Sequence, residues 1–152
     1  LASIGEVVRL ETEADIDALH QLIVAIAEHH DQREYVFVTV DDLRRDGFGP
    51  APKFGAVLAE VDGVLAGYAT YTWNYGIWLG STYMSVDDVY VLSSHRGLGI
   101  GEALMHRLQQ VCTHRGLHRM KWEVEPDNVA AIRFYERLGA RMRTKGLFYW
   151  EA

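Results

Sequence analysis

A mixed α/β fold is predicted by three observations along the 152-residue chain. Segments with the period-2 alternation of strands are interleaved with segments whose apolar residues recur every three or four positions. An Asp62-Gly63 dipeptide joins two strand-like runs and marks a tight antiparallel hairpin. Further on, a strand–helix–strand passage calls for a parallel crossover. The expected order is β-α-α-β-β-β-α-β-α-β in one domain, with no linker, repeat or low-complexity run to divide it.

Each element has its own signal. Ile4 to Leu10 alternates as a strand. A helix opens at Thr12 or Glu13 and runs to about His29, with Ile16, Leu19, Ile23 and Ile26 on one face. Thr39, followed three residues later by Asp42, caps a short helix that ends near Gly47. Gly49-Pro50-Ala51-Pro52 is a loop. Phe54–Val61 and Val64–Trp73 flank the hairpin dipeptide, and Val86–Leu92 is the next strand. A glycine-rich turn leads into a helix from Gly101 to about Arg115, striped by Leu104, Leu108, Val111 and Cys112 and ended by Gly116. Arg119–Glu125 is a strand, Pro126-Asp127-Asn128 starts a helix to Leu138, and Gly139 stops it. Met142–Glu151 offers one or two final strands.

Composition narrows the function. At 49% hydrophobic and 24% charged, the chain is globular rather than disordered, collagen-like or membrane-spanning. Its longest aliphatic run, Leu22 to Ala27, is far too short to cross a bilayer, and no basic stretch followed by an apolar one marks a secretion signal. A net charge of -6 is not the footprint of a protein held to nucleic acid by neutralising phosphates. One cysteine, Cys112, cannot form an internal disulfide, so a reducing cytoplasm is the expected home.

The chemistry concentrates in Arg96-Gly97-Leu98-Gly99-Ile100-Gly101, between a strand and an amphipathic helix. Backbone N–H groups at a helix N-terminus favour an anion. Glycines let the backbone approach it closely, and Arg96 adds a forked cation. The loop reads as a phosphate or pyrophosphate site. It lacks the Gly-Lys-Ser/Thr ending of a Walker loop, and its G-x-G-x-G spacing is not the dinucleotide fingerprint.

Arg96-x-x-Gly99-x-Gly101 after a hydrophobic strand resembles the acetyl-CoA loop of the GNAT family of N-acetyltransferases. Asn128-x-x-Ala131-Ile132-x-Phe134-Tyr135-x-x-x-Gly139-Ala140 resembles that family's second block. The likeness covers nearly the whole chain and is nearest to the diamine (spermidine/spermine) and thialysine acetyltransferase branch, whose Asp42-Leu43, Asp46-Gly47-Phe48-Gly49 and Asp88 recur here. It implies the acyl-CoA N-acyltransferase fold: a mixed, mostly antiparallel sheet with a splayed parallel pair and flanking helices. It implies acetyl-CoA as co-substrate, with no metal, and a homodimer. The backbone at Val89, Tyr90 and Val91 would pair with the pantetheine arm. The loop from Gly97 through Leu98, Gly99, Ile100 and Gly101 to Glu102, with Arg96, would hold the pyrophosphate. Asn128 would meet the pantetheine, and Ile132 would lie near the cofactor.

Acetylating an amine requires that the ammonium lose a proton, that the carbonyl be polarised and that the leaving thiolate be helped by a proton. Asp87 occupies the position of a glutamate in the diamine enzymes and is the candidate base, directly or through water; the plain alternative is a polar strand edge. Tyr135 matches the tyrosine that donates to the coenzyme sulfur, its alternative being core packing beside Phe134. Trp78, Glu123 and His30 are further candidate acceptor contacts. Tyr71, Trp73 and Tyr75 share a strand face, as sheet core or as pocket wall.

The polyamine pattern departs at Gly76, where an aspartate is expected, and at His29-His30, where the branch has Tyr-Glu. Fewer acids favour a smaller amine: a short diamine, thialysine or another amino-acid-like acceptor. An aminoglycoside, a protein or peptide amine, and a non-catalytic CoA-binding module are the competing readings. The seven histidines form no ligand set at zinc spacing, and Cys112 reads as a packed thiol.

Overall fold

A computed structural model describes residues 6–152. The chain forms two compact units, one running to Trp122 and the other from Glu123 to Ala152. The first holds β1 (Glu6–Leu10), α1 (Ile16–His29), α2 (Val40–Gly47), β2 (Gly55–Val61), β3 (Val64–Gly76), β4 (Ser81–Val91), α3 (Ile100–His114) and β5 (Met120–Lys121). The second holds α4 (Val129–Arg137).

The five strands lie in sequence order. β1 to β4 are antiparallel, and β5 returns parallel to β4 after the α3 crossover. The hairpin dipeptide behaves as its composition requires: Asp62 and Gly63 both take positive φ, at 53° and 78°, as a type I′ turn demands. Thr39 and Asp42 close a reciprocal capping box on α2.

Two apolar layers sandwich the sheet. On one face Leu19 of α1 packs with Ala56, Leu58 and Tyr68, flanked by Leu22, Ile23, Ile26, Leu65 and Tyr90. On the other, α3 buries Ile100, Leu104, Leu108 and Cys112. The Cys112 thiol donates to the Arg119 carbonyl at 3.6 Å, as expected of a packed thiol.

Gly55 is paired with Tyr71 across β2 and β3, and a Cβ at Gly55 would run into the Tyr71 ring. Tyr71 is buried, so the ring has little room to give. Gly55→Ala should therefore cost about 1–3 kcal/mol of stability, read as a lower urea midpoint; an unchanged midpoint would show that the ring moves freely.

Several boundaries differ from the sequence expectation. Ile4 and Gly5 lie outside the described residues. β3 runs on to Gly76 and β4 begins at Ser81, because the two long strands pair from Gly67↔Val91 to Gly76↔Ser81. Cross-strand pairing, which no local pattern reveals, extends them. The strand expected over Arg119–Glu125 is realised only at Met120–Lys121. The final strands expected over Met142–Glu151 are not formed, since no ladder partner pairs with that segment among the described residues. A strand pattern without a neighbouring edge makes no hydrogen bonds of its own.

Candidate active site

β4 carries one residue more than the stretch of β3 it faces. Thr70 pairs with Asp88 and Tyr71 with Val86, so Asp87 is the extra residue of a β-bulge. A bulge bends the strand and re-aims its side chains, and such features gather beside active sites. Both carboxyl groups here have raised pKa values. Burial is the main cause at each, and Asp87 is raised further by the charge of Asp88. Thr70 Oγ1 donates to Asp88 Oδ2 at 3.4 Å, a long and weak bond. The Tyr68 phenol is also raised, by burial and then by Asp88, and its ring lies 6.4 Å from that of Tyr90. Tyr68 and Thr70 therefore flank the acidic pair. Sequence reasoning missed them, because only the β3–β4 register brings them opposite Tyr90 and Asp88.

Four residues beyond Asp87, about 13 Å along an extended strand, β4 ends at Val91 and the glycine loop begins. Gly97 and Gly99 take φ of 79° and 82°, a left-handed backbone that glycine adopts without strain. Gly99 is the N-cap of α3, and no side chain caps that helix end. Arg96 is held beside it: its Nε donates to the Val91 carbonyl at 3.2 Å, and its guanidinium lies 5.8 Å from the Tyr90 ring centre. A helix N-terminus without a side-chain acceptor, beside a fixed cation, suits a pyrophosphate.

The parallel pair is short. β5 is joined to β4 only at Met84↔Met120 and Ser85↔Lys121. From Val86 to Val91 no described strand pairs with that edge of β4. Val89, Tyr90 and Val91 thus lie on a strand whose backbone can receive an extended, amide-bearing arm.

In the second unit, Asn128, Ile132 and Tyr135 fall at i, i+4 and i+7, on one face of α4. Asn128 Oδ1 accepts from the Ala131 N–H at 3.2 Å, which leaves its amide N–H₂ as the group able to donate outward. Tyr135 is half-buried, and burial raises its pKa. A phenol so placed stays protonated at neutral pH. Its ring lies 5.2 Å from that of Phe134.

The remaining expected contacts are scattered. Trp78 is fully exposed in the turn before β4, at the opposite end of that strand from the glycine loop. It lines a pocket of about 320 Å³ with Ile77, Tyr83, Arg119 and Lys121, and Lys121 Nζ stands 4.8 Å from the Tyr83 ring centre. His30 is exposed just past α1, edge-on to His29 at 5.3 Å. Glu123 is exposed at the start of the second unit. The aromatic row of β3 divides: Tyr71 is core, Tyr75 is exposed, and Trp73 meets Tyr71 edge-on at 5.4 Å and carries the Arg115 guanidinium over its ring at 4.4 Å.

Comparison with known proteins gives the chain a family and a fold. A pig thialysine N-epsilon-acetyltransferase is 29% identical over 146 residues, covering 91% of this chain and 85% of the relative. A human spermidine/spermine N(1)-acetyltransferase-like protein 1 is 31% identical over 88% of this chain, which corresponds to 20% of that protein. In three dimensions, an aminoglycoside N-acetyltransferase solved in complex with CoA superposes with a TM-score of 0.77, at 21% identity and 99% coverage of both chains. The model of the acetyltransferase (GNAT) family matches residues 16–140, a span that takes in β4, the glycine loop and α4. With that match covering most of its length, a span that holds the bulged strand, the glycine loop and the helix of Tyr135, this chain belongs to the GNAT family of acetyltransferases.

Proposed function

We propose that this acetyl-CoA-dependent N-acetyltransferase moves the acetyl group directly to a primary amine of a small cationic acceptor: a short diamine, thialysine or an amino-acid-like amine. The observation that carries this reading is the bulge that places Asp87, with its raised proton affinity, one short run of strand before the anion-binding loop. The names of the thialysine and spermidine/spermine relatives point to the same acceptor class.

The residues divide the labour. Arg96 and the loop from Gly97 to Glu102 hold the pyrophosphate, the β4 backbone from Val89 to Val91 takes the pantetheine arm, and Asn128 and Ile132 meet it from α4. When bound, acetyl-CoA supplies a thioester whose acyl carbon is open to attack. An alkyl amine is almost wholly ammonium at pH 7, given a pKa near ~10.4 for lysine. Asp87 attracts that cation and takes its proton, directly or through one water. The amine nitrogen then bonds the acyl carbon as the carbon–sulfur bond breaks, Tyr135 gives its phenolic proton to the departing thiolate, and the second proton, which the acylated nitrogen sheds as it becomes an amide, returns through water to the phenolate. A backbone N–H near Val89 or Tyr90 polarises the carbonyl oxygen. Glu123 and His30 are further candidates to hold the acceptor. Trp78 offers cation–π attraction, but its pocket also carries Arg119 and Lys121, which oppose a cationic guest.

The same reading takes the chain as one catalytic domain, working in the cytoplasm as a homodimer. The lone cysteine suits a reducing compartment, and no helix among the described residues is long and apolar enough to cross a membrane.

Release of CoA thiol from acetyl-CoA tests the proposal against putrescine, spermidine, thialysine, lysine, other amino acids, one aminoglycoside and a basic peptide. Turnover is expected with a small amine, and Asp87→Asn should lower kcat/KM for it by about 10²-fold. Turnover with the aminoglycoside or the peptide alone would overturn the acceptor class.

A further inference from the structure

Where β3, β4 and β5 meet, one face of the sheet is packed: Tyr71, Met84 and Val86 are all buried there. The opposite face is polar. Thr72 pairs with Ser85, Ser85 pairs with Lys121 of β5, and Thr70 pairs with Asp88. Paired residues share a face, as do residues two apart on one strand, so Tyr83 joins them. None of these side chains is buried. The strip is charged at both ends with opposite signs, Asp87 and Asp88 at one and Lys121 at the other. Lys121 and Arg119 line the pocket of about 320 Å³, whose lining holds no acidic residue. Among the described residues no carboxylate forms an ion pair with either, whereas Arg9, Arg44, Arg45 and Lys53 each have one. Lys121 Nζ instead stands 4.8 Å from the Tyr83 ring centre. In a chain of net charge -6, two unpaired cations at one pocket suit an anion.

We propose that Lys121, aided by Arg119, is a specificity-determining residue that binds a carboxylate on the acceptor, so that the acceptor is an amine-bearing acid of lysine or ornithine length and not a diamine. The inference rests on the small-amine reading above and says which member of that class the site selects.

The spacing fits such a molecule. Lys121 lies level with Ser85, two residues before Asp87. Their backbones are therefore about 8 Å apart, from about 7 Å along β4 and about 5 Å across to β5. In an extended lysine or ornithine, the terminal nitrogen and the carboxyl carbon are about 6–8 Å apart. The terminal ammonium then meets Asp87 and Asp88 while the carboxylate meets Lys121, with the Thr72 and Ser85 hydroxyls between them. A diamine of the same length has no group for Lys121. It sets a second ammonium against Lys121 and Arg119, so it loses an ion pair and gains a repulsion.

Release of CoA thiol with two matched pairs of acceptors tests this: lysine against cadaverine, and ornithine against putrescine. The members of each pair differ by one carboxylate. In at least one pair, wild-type kcat/KM should favour the amino acid by ~10-fold or more. Lys121→Met should lower kcat/KM for that amino acid by about ten-fold, and the loss should fall on KM, because the carboxylate is held equally before and during the reaction. The same variant should raise kcat/KM for the diamine by about three-fold, and Lys121→Glu should invert the preference. Opposite changes on two acceptors cannot come from a folding defect. A wild type that turns over the diamines as well as the amino acids, or variants that lower both acceptors alike, would overturn the role of Lys121 while leaving small-amine acetylation standing. No turnover with any of the four would overturn the small-amine reading and this one with it.

Discussion

Tyr135→Phe is expected to reduce turnover by about 10²- to 10⁴-fold, the range of a positioned general acid, while the affinity for CoA stays unchanged. The substitution keeps the ring and its neighbour Phe134 and removes one hydroxyl. That hydroxyl belongs to a half-buried phenol whose pKa burial has raised, so it is a proton donor throughout the neutral range. The loss should fall on kcat, because the departing thiolate forms only as the carbon–sulfur bond breaks. Single-turnover kinetics beside CoA titration separates the two effects. Equal loss in rate and affinity would assign Tyr135 to packing, and an unchanged rate would remove it from the chemistry.

The second large effect is on stability, at Glu11. Its Oε2 is buried without a hydrogen-bond partner among the described residues. Burial first, and then the charge of Asp15, raise its pKa from 4.5 to about 7. Asp15 is itself held down to about 2, chiefly by the Arg9 guanidinium, so it is negative wherever Glu11 titrates. The folded chain thus binds a proton that the unfolded chain releases between pH 4.5 and about 7. Across that window stability falls as pH rises, and above it the full penalty of about 3 kcal/mol is felt. Glu11→Gln removes the titration while keeping the shape. The variant should match the wild type near pH 4.5 and exceed it by up to about 3 kcal/mol at pH 8, read from urea midpoints at both pH values. A difference between the two proteins that does not change with pH would refute the assignment.

Much of the fold was legible because its signals are local. The Thr39–Asp42 box, the Asp62-Gly63 turn and the helix stops at Gly116 and Gly139 each depend on a few adjacent residues, and each folds as read. The glycine loop was legible for the same reason: positive φ at Gly97 and Gly99 and an α3 start without a side-chain cap follow from Arg96-Gly97-Leu98-Gly99 alone. What escaped depends on pairing. The bulge at Asp87, the flanking Tyr68 and Thr70, the extension of β3 to Gly76 and the shortening of β5 are set by which strand lies beside which. Trp78 looked like an acceptor contact on motif position, yet its cationic surroundings come from Arg119 and Lys121, about forty residues downstream.

The single extra residue in β4 is absorbed where it occurs. Val86 pairs with Tyr71, whereas Asp88 and Tyr90 pair with Thr70 and Tyr68, so the bulge sets Val86 on one face of the sheet and Asp88 and Tyr90 on the other. Plain alternation would put Val86, Asp88 and Tyr90 on a single face. The extra position thus lets Val86 be buried on one side while Tyr90 packs with Leu19 and Tyr68 on the other. Deleting Asp87 therefore differs in kind from replacing it. A replacement changes a functional group in a bent strand, whereas a deletion closes the bulge, straightens β4 at the acidic pair and leaves Tyr90 on the face it already occupies.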